Sequence, residues 1–164
     1  ARIAIQASLT GHLVLSTLHT NDAPSSITRL INIGIEPYLI SASVNGVLAQ
    51  RLVRKICPHC RAKVTALRET ERVYLEKYGW KGGDLFQGAG CEKCRQTGYK
   101  GRIGLYELME LDDELRDLIS RNPPLTELRR AACDRGMRTL RSDGLQKISA
   151  GMTTVDEIMR VTET

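Results

Sequence analysis

Four of the five cysteines stand in two tight pairs, Cys57 and Cys60 in CPHC, and Cys91 and Cys94 in CEKC. A Cys-x-x-Cys turn lets two thiolates converge on one ion, and a second pair completes a tetrahedron. Four sulfurs leave no coordination position for a reacting water, so the expected role is structural zinc and not catalytic zinc. A thioredoxin-like redox pair is the competing chemistry. It requires a single reactive pair at a helix start and leaves the second pair unexplained. The 30 residues between the pairs exceed the spacing of a simple zinc ribbon, so the insert must fold back as its own unit, and a helix followed by a hairpin is expected there. His59 lies inside the first knuckle and reads as a surface residue. Cys133 stands alone in a leucine- and alanine-rich stretch and reads as a small buried thiol.

His12 and His19 flank the run HLVLSTL, whose β-branched and leucine content between Gly11 and the turn-prone Thr20, Asn21 and Asp22 predicts a buried strand. With a side-chain period of two, residues seven apart point to opposite faces, so the two histidines are not a metal pair. His19 falls at the strand's carboxyl end, where open α/β sheets bind their ligands.

The elements that must hold these residues follow from periodicity and caps. ARIAIQASL predicts a helix ended by Gly11, and a chain that opens inside a helix without Met is expected to be a fragment. Asp22 is placed to cap a helix from Pro24 to Gly34, and Pro37 opens a longer helix carrying Ile40, Val44, Val47 and Leu48. RLVRKIC predicts a short strand into Cys57, Ala66–Tyr78 a helix, and DLF a strand. In GRIGLYELMEL, Ile103, Leu105 and Leu108 predict a strand, followed by a helix capped by Asp112 or Asp113 and further helices to the end.

The chain has 164 residues, 41% apolar and 26% charged, which is enough to bury a core and argues against disorder. It holds no run of about 20 apolar residues, and together with paired cysteines of metal-ligand type the expected compartment is the cytosol. The net charge of +5 and the acid-free basic set Arg51, Arg54, Lys55, Arg61 and Lys63 invite a nucleic-acid reading, that of a zinc-ribbon binding module. Aromatic residues are only 4%, and a solvated basic face is the plainer reading.

Several motifs in order resemble one family. The stretch from Ala1 to Asp22 is similar to the segment that includes the histidine box in the ATPases driving type II secretion and type IV pilus assembly. CPHC and CEKC, the run GYKGRIGLYELMEL and the terminal RSDGLQKISAGMTTVDEIMRVT resemble the assembly members of that family. The resemblance implies an α/β fold: a partial RecA-like P-loop NTPase core over 1–56, a four-cysteine zinc subdomain over 57–101, and a strand with a helical bundle over 102–164. It also implies a homohexamer using ATP and Mg, located in the cytoplasm and held at the inner membrane through a platform protein, with no nucleic acid. His19 becomes a γ-phosphate sensor and His12 its support, while Gln50 and Arg51, in an AQRL stretch typical of the family, take a subunit-contact, nucleotide-proximal or packing role. The pattern departs at two points: no glycine is followed by lysine and then serine or threonine, so the phosphate-binding loop is not among these residues, and neither is the acidic Walker B segment expected ahead of Ala1. This chain alone is therefore expected to be inactive.

Overall fold

The computed structural model describes residues 1–163. They form two compact units, each built from two stretches of chain: 1–49 with 106–139, and 50–105 with 140–163. Two long strands, β1 (Gly46–Ile56) and β4 (Tyr99–Glu110), pair as a two-stranded sheet, and each has residues in both units. The Leu111 N–H donates to the Asn45 carbonyl at one end of the pair, and the Cys57 N–H donates to the Gly98 carbonyl at the other, which fixes an antiparallel register.

The first unit contains α1 (Arg2–Leu9), α2 (Ala23–Asn32), α3 (Pro37–Ser43), α5 (Asp113–Ser120) and α6 (Leu125–Asp134). The expected caps are present: the Asp22 carboxylate accepts the Ser25 N–H at 2.8 Å, and Asp112 accepts the Leu115 N–H at 2.9 Å. Ile27, Ile40, Met109, Leu115 and Ile119 are the centre of its core. The α3 helix stops at Ser43, with Val44 already extended, so Val47 and Leu48 belong to β1 and not to a longer helix. Gly46 sits where a Cβ would lie 3.3 Å from the Met109 carbonyl oxygen, and this close approach favours the sheet.

The run from His12 to Leu18 is not a strand. A strand needs a neighbour to satisfy its backbone, and no β-strand pairs with this run among the described residues. Leu13 and Leu15 are 83% and 87% exposed.

The second unit holds β2 (Arg61–Lys63), α4 (Glu69–Lys77), β3 (Phe86–Gly88), α7 (Leu140–Ser149) and α8 (Val155–Thr162). β2 and β3 pair antiparallel, Arg61 with Gly88 and Lys63 with Phe86, so the hairpin strands enclose the α4 helix instead of following it. In α7, Gly144 allows Ile158 of α8 to approach within what would be 2.8 Å of a Cβ. None of the described helices is long and apolar enough to cross a membrane.

One buried carboxylate ties α8 to β1. Glu157 is 1% exposed; its Oε2 accepts the Arg54 backbone N–H at 2.7 Å, and its oxygens accept the guanidinium groups of Arg54 and Arg160. Burial opposes its charge, but the donors of Arg160 and Arg54 outweigh burial and hold the carboxyl at about 2. A carboxyl depressed on folding contributes stability that is complete above its unfolded value, about 4.3, and is lost as pH falls towards the folded one. We therefore expect Glu157→Gln to lower the stability of this unit at pH 7 by about 2–3 kcal/mol and to flatten its loss of stability between about pH 4.5 and 2. Urea unfolding followed by Trp80, the single tryptophan, which lies in this unit, provides the measurement. An acid limb of unchanged slope in the variant is the contrary result.

Candidate functional site

The four-sulfur cage grows from the ends of β1 and β4. Cys57 follows the last residue of β1 and turns into a knuckle in which the Cys60 N–H donates to the Cys57 carbonyl at 3.4 Å. The second knuckle is a short 3-10 turn, Glu92–Cys94, followed by Arg95 and Gln96 with positive φ of 54° and 62°, which returns the chain to β4. The Sγ atoms of Cys57 and Cys91 lie 3.9 Å apart, those of Cys60 and Cys94 3.8 Å, and those of Cys91 and Cys94 3.7 Å, with all four within 4.8 Å of one another. A tetrahedral ion with metal–sulfur distances of about 2.3 Å requires sulfur–sulfur edges of about 3.8 Å. The cage thus fits a zinc-sized ion, and the sulfurs are too far apart for disulfides.

Backbone donors prepare the sulfurs for negative charge. The Cys91 and Gly98 N–H groups donate to the Cys94 Sγ at 3.2 and 3.3 Å. Burial works against ionisation of Cys94, yet these donors and the neighbouring thiols lower it to about 6. Burial and the adjoining thiols push Cys60 up to about 12. Metal binding requires all four as thiolates and therefore releases protons. His59 is exposed, as expected of a knuckle residue. Cys133 is exposed as well, which corrects the expectation of a buried thiol: on α6 the neighbouring Ala132 faces the core instead.

Two glycines let the backbone close over the cage. A Cβ on Gly88 would lie 1.9 Å from the Gly98 carbonyl oxygen, and one on Gly98 would lie 2.5 Å from that of Gly88.

The histidines stand elsewhere, in the first unit. His12 Nδ1 lies 3.1 Å from the Thr10 hydroxyl and 3.2 Å from the Ala7 carbonyl, at the end of α1. His19 is exposed, three residues before the cap of α2. Gln50, exposed, and Arg51, half-buried, lie side by side on β1 in the second unit. Periodicity had overlooked the buried acids Glu107 and Glu157. For Glu107 a signal existed: in β4 it shares the inward parity of Leu105 and Met109, whereas Leu108, of the opposite parity, is 47% exposed.

A family model described as Type II/IV secretion system protein matches residues 1–160. The chain belongs to this secretion-system family. Among its relatives, the Type II secretion system protein HxcR of Pseudomonas aeruginosa is 50% identical over 99% of this chain and 31% of its own length. The Type IV pilus assembly ATPase PilB of Thermus thermophilus is 49% identical over 97% of this chain and 18% of its own. The Type II secretion system ATPase E of Vibrio cholerae is 46% identical over 99% and 32%. This member of the family therefore spans a third or less of the relatives it matches. The crystal structure of the pilus retraction motor PilT with bound ADP superposes with a TM-score of 0.63, covering 99% of this chain and 36% of that one at 22% identity. The fold is accordingly α/β and shared with that part of the PilT structure, and the four cysteines are grouped where they could hold a metal ion.

Proposed function

We propose that this chain is the carboxy-terminal portion of a cytoplasmic, hexameric motor ATPase that powers type II secretion or type IV pilus assembly, with zinc held structurally by Cys57, Cys60, Cys91 and Cys94. The observation that carries the reading is the family match across residues 1–160, joined to relatives named as secretion and pilus-assembly ATPases. In the longer protein ATP and Mg bind at a phosphate loop outside these residues. His19 senses the transferred phosphoryl group, and His12 supports it from the end of α1. A single hydrogen bond to that group, lost on hydrolysis, is enough to release a segment whose other contacts are few. Gln50 and Arg51 contribute to a subunit contact or lie near the nucleotide. The work is delivered to an inner-membrane platform protein, which holds the motor peripherally at the membrane.

A nucleic-acid module is the weaker reading because much of the basic flank is engaged internally. Arg54 pairs with Glu157 and lies over the Tyr99 ring at 4.1 Å, Arg61 lies over Phe86 at 3.8 Å, and Lys63 pairs with Asp84.

The test is steady-state ATP turnover by the intact parent protein. His19→Ala is expected to reduce kcat on the order of a hundredfold, with nucleotide affinity held within about threefold. Residues 1–164 alone are expected to show no saturable turnover. Wild-type kcat in the histidine variant would sink the sensing role, and saturable turnover by the isolated chain would remove the need for a phosphate loop elsewhere.

A further inference from the structure

The short stretch that follows His19 is anchored at three points, and two of them come from elements far away in sequence. Thr20 shares a hydrogen bond of 2.7 Å with Ser26, which is 3% exposed. The Asp22 carboxylate caps α2 through Ser25 with one oxygen and pairs through the other with Arg129 of α6. Burial works against the Asp22 charge, but the Ser25 donors and Arg129 outweigh it and keep the carboxyl below the usual aspartate range. The N–H of Ala23, the first residue of α2, donates to Glu107 of β4 at 2.8 Å.

Glu107 is the unexpected member. It is 3% exposed, between Leu105 at 0% and Met109 at 1% on the inward side of its strand. Burying a carboxylate is costly unless it receives strong donors. The first turn of a helix offers these, since its N–H groups have no intrahelical partner and the helix dipole favours an anion there. The cap of α2 is already supplied by Asp22, so the Glu107 carboxyl adds something a cap does not: it ties the start of α2 to β4. Residues 12–19 upstream are exposed and pair with no strand among the described residues. The nearer anchor of His19 is therefore residues 20–23, the farther one being His12 at the end of α1.

We propose that Glu107 and Arg129 are positioning residues for His19, holding the base of its segment to β4 and α6. The proposal rests on the phosphate-sensing reading of His19, and its test separates the two. In the intact parent protein, Glu107→Ala is expected to lower kcat about tenfold or more while KM for ATP stays within about threefold, the effect of a displaced but present catalytic group. Glu107→Gln retains an oxygen able to accept the Ala23 N–H and is expected to restore kcat to within about threefold of wild type. Arg129→Ala is expected to fall in the same direction as Glu107→Ala, and Arg121→Ala, which removes an exposed ion pair on α5, to leave kcat unchanged. If Glu107 acts through His19, the double variant His19→Ala with Glu107→Ala is no slower than His19→Ala alone. Wild-type kcat in Glu107→Ala, or losses that multiply in the double variant, would overturn the proposal.

Hydrogen exchange of the parent protein without nucleotide provides the independent arm. Amides of residues 20–26 are expected to exchange faster in Glu107→Ala and at the wild-type rate in Glu107→Gln. Unchanged protection in Glu107→Ala overturns the tether. Faster exchange combined with a His19→Ala variant of full activity keeps the tether and rejects the sensing role instead.

Discussion

Chelation of the metal is expected to abolish hydrogen-exchange protection across residues 57–98 while the core of the unit formed by 1–49 and 106–139 keeps its protection. Apart from a few side-chain contacts to α7 and α8, such as Tyr74 with Thr162 at 2.8 Å and Trp80 with Ser149 at 3.2 Å, the region between the knuckles has little else to hold it. Its two strands are three residues each, its one helix is nine, and few of its side chains are deeply buried, chiefly Tyr74, Leu75 and Leu85. A hairpin of that size is marginal in water, and so is an isolated helix that short. Binding of a structural zinc ion contributes about 10–16 kcal/mol in comparable four-ligand sites, which is as much as the whole stability of an ordinary domain, about 5–15 kcal/mol. The helices α7 and α8 have their own apolar contacts through Ile148 and Ile158 and are expected to lose protection later. Released metal, titrated after denaturation, should approach one ion per chain in the wild type and in Cys133→Ser, whose thiol is exposed and outside the cage. Cys91→Ser should lie well below that. A wild-type stoichiometry near zero, or equal protection with and without chelator, would end the metal assignment.

Gly88→Ala is expected to destabilise the same region by about 4 kcal/mol or more, at the extreme of single substitutions. The added methyl would meet the Gly98 carbonyl at 1.9 Å, and its other nearest neighbours are also backbone atoms of Gly98, so no side chain can swing away to relieve the clash. Displacing Gly98 has a second cost. Its carbonyl accepts the Cys57 N–H at 2.9 Å, and its own N–H donates to the Cys94 sulfur. One methyl group on β3 thereby loosens a ligand in each knuckle. The measurements are metal stoichiometry and the urea midpoint of Trp80 fluorescence, both expected to fall. Alanine at Gly83, which unlike Gly88 has a positive φ and has nothing within 4 Å of its Cβ position, gives the cost of simple backbone strain, about 1 kcal/mol, against which the collision at Gly88 is read. Equal effects at the two positions would show that the crossing of Gly88 and Gly98 is unimportant.

How much of this could be read beforehand differs by kind of interaction. The metal cage was legible because Cys-x-x-Cys fixes its geometry within four residues, whatever the surrounding fold. The caps at Asp22 and Asp112 and the prolines opening α2 and α3 were legible for the same reason, since each acts within one turn of chain. The strand from His12 to Leu18 failed because an extended apolar run becomes a strand only beside a partner, and its own composition cannot supply one. The stretch from Val44 to Leu48 failed because spacings of three and four suit a helix, while Val47 and Ala49 suit a strand equally well, and Gly46 against β4 decided between them. The donors of the two buried acids were not legible, because the Ala23 N–H that Glu107 accepts lies 84 residues away and the Arg54 N–H that Glu157 accepts lies 103 residues away.

The knuckles sit at the feet of β1 and β4, so a bound ion would join these strands where they start and finish, irrespective of what the chain does on its excursion from Arg61 to Gly90. Closing a longer excursion is cheap, since each doubling of a flexible loop costs only about 0.6 kcal/mol. The turn through Gly79, Gly82 and Gly83 faces open space. That turn is a place where extra residues, even a small folded insert or a fluorescent label, could be spliced in without shifting the alignment of the long ribbon beneath.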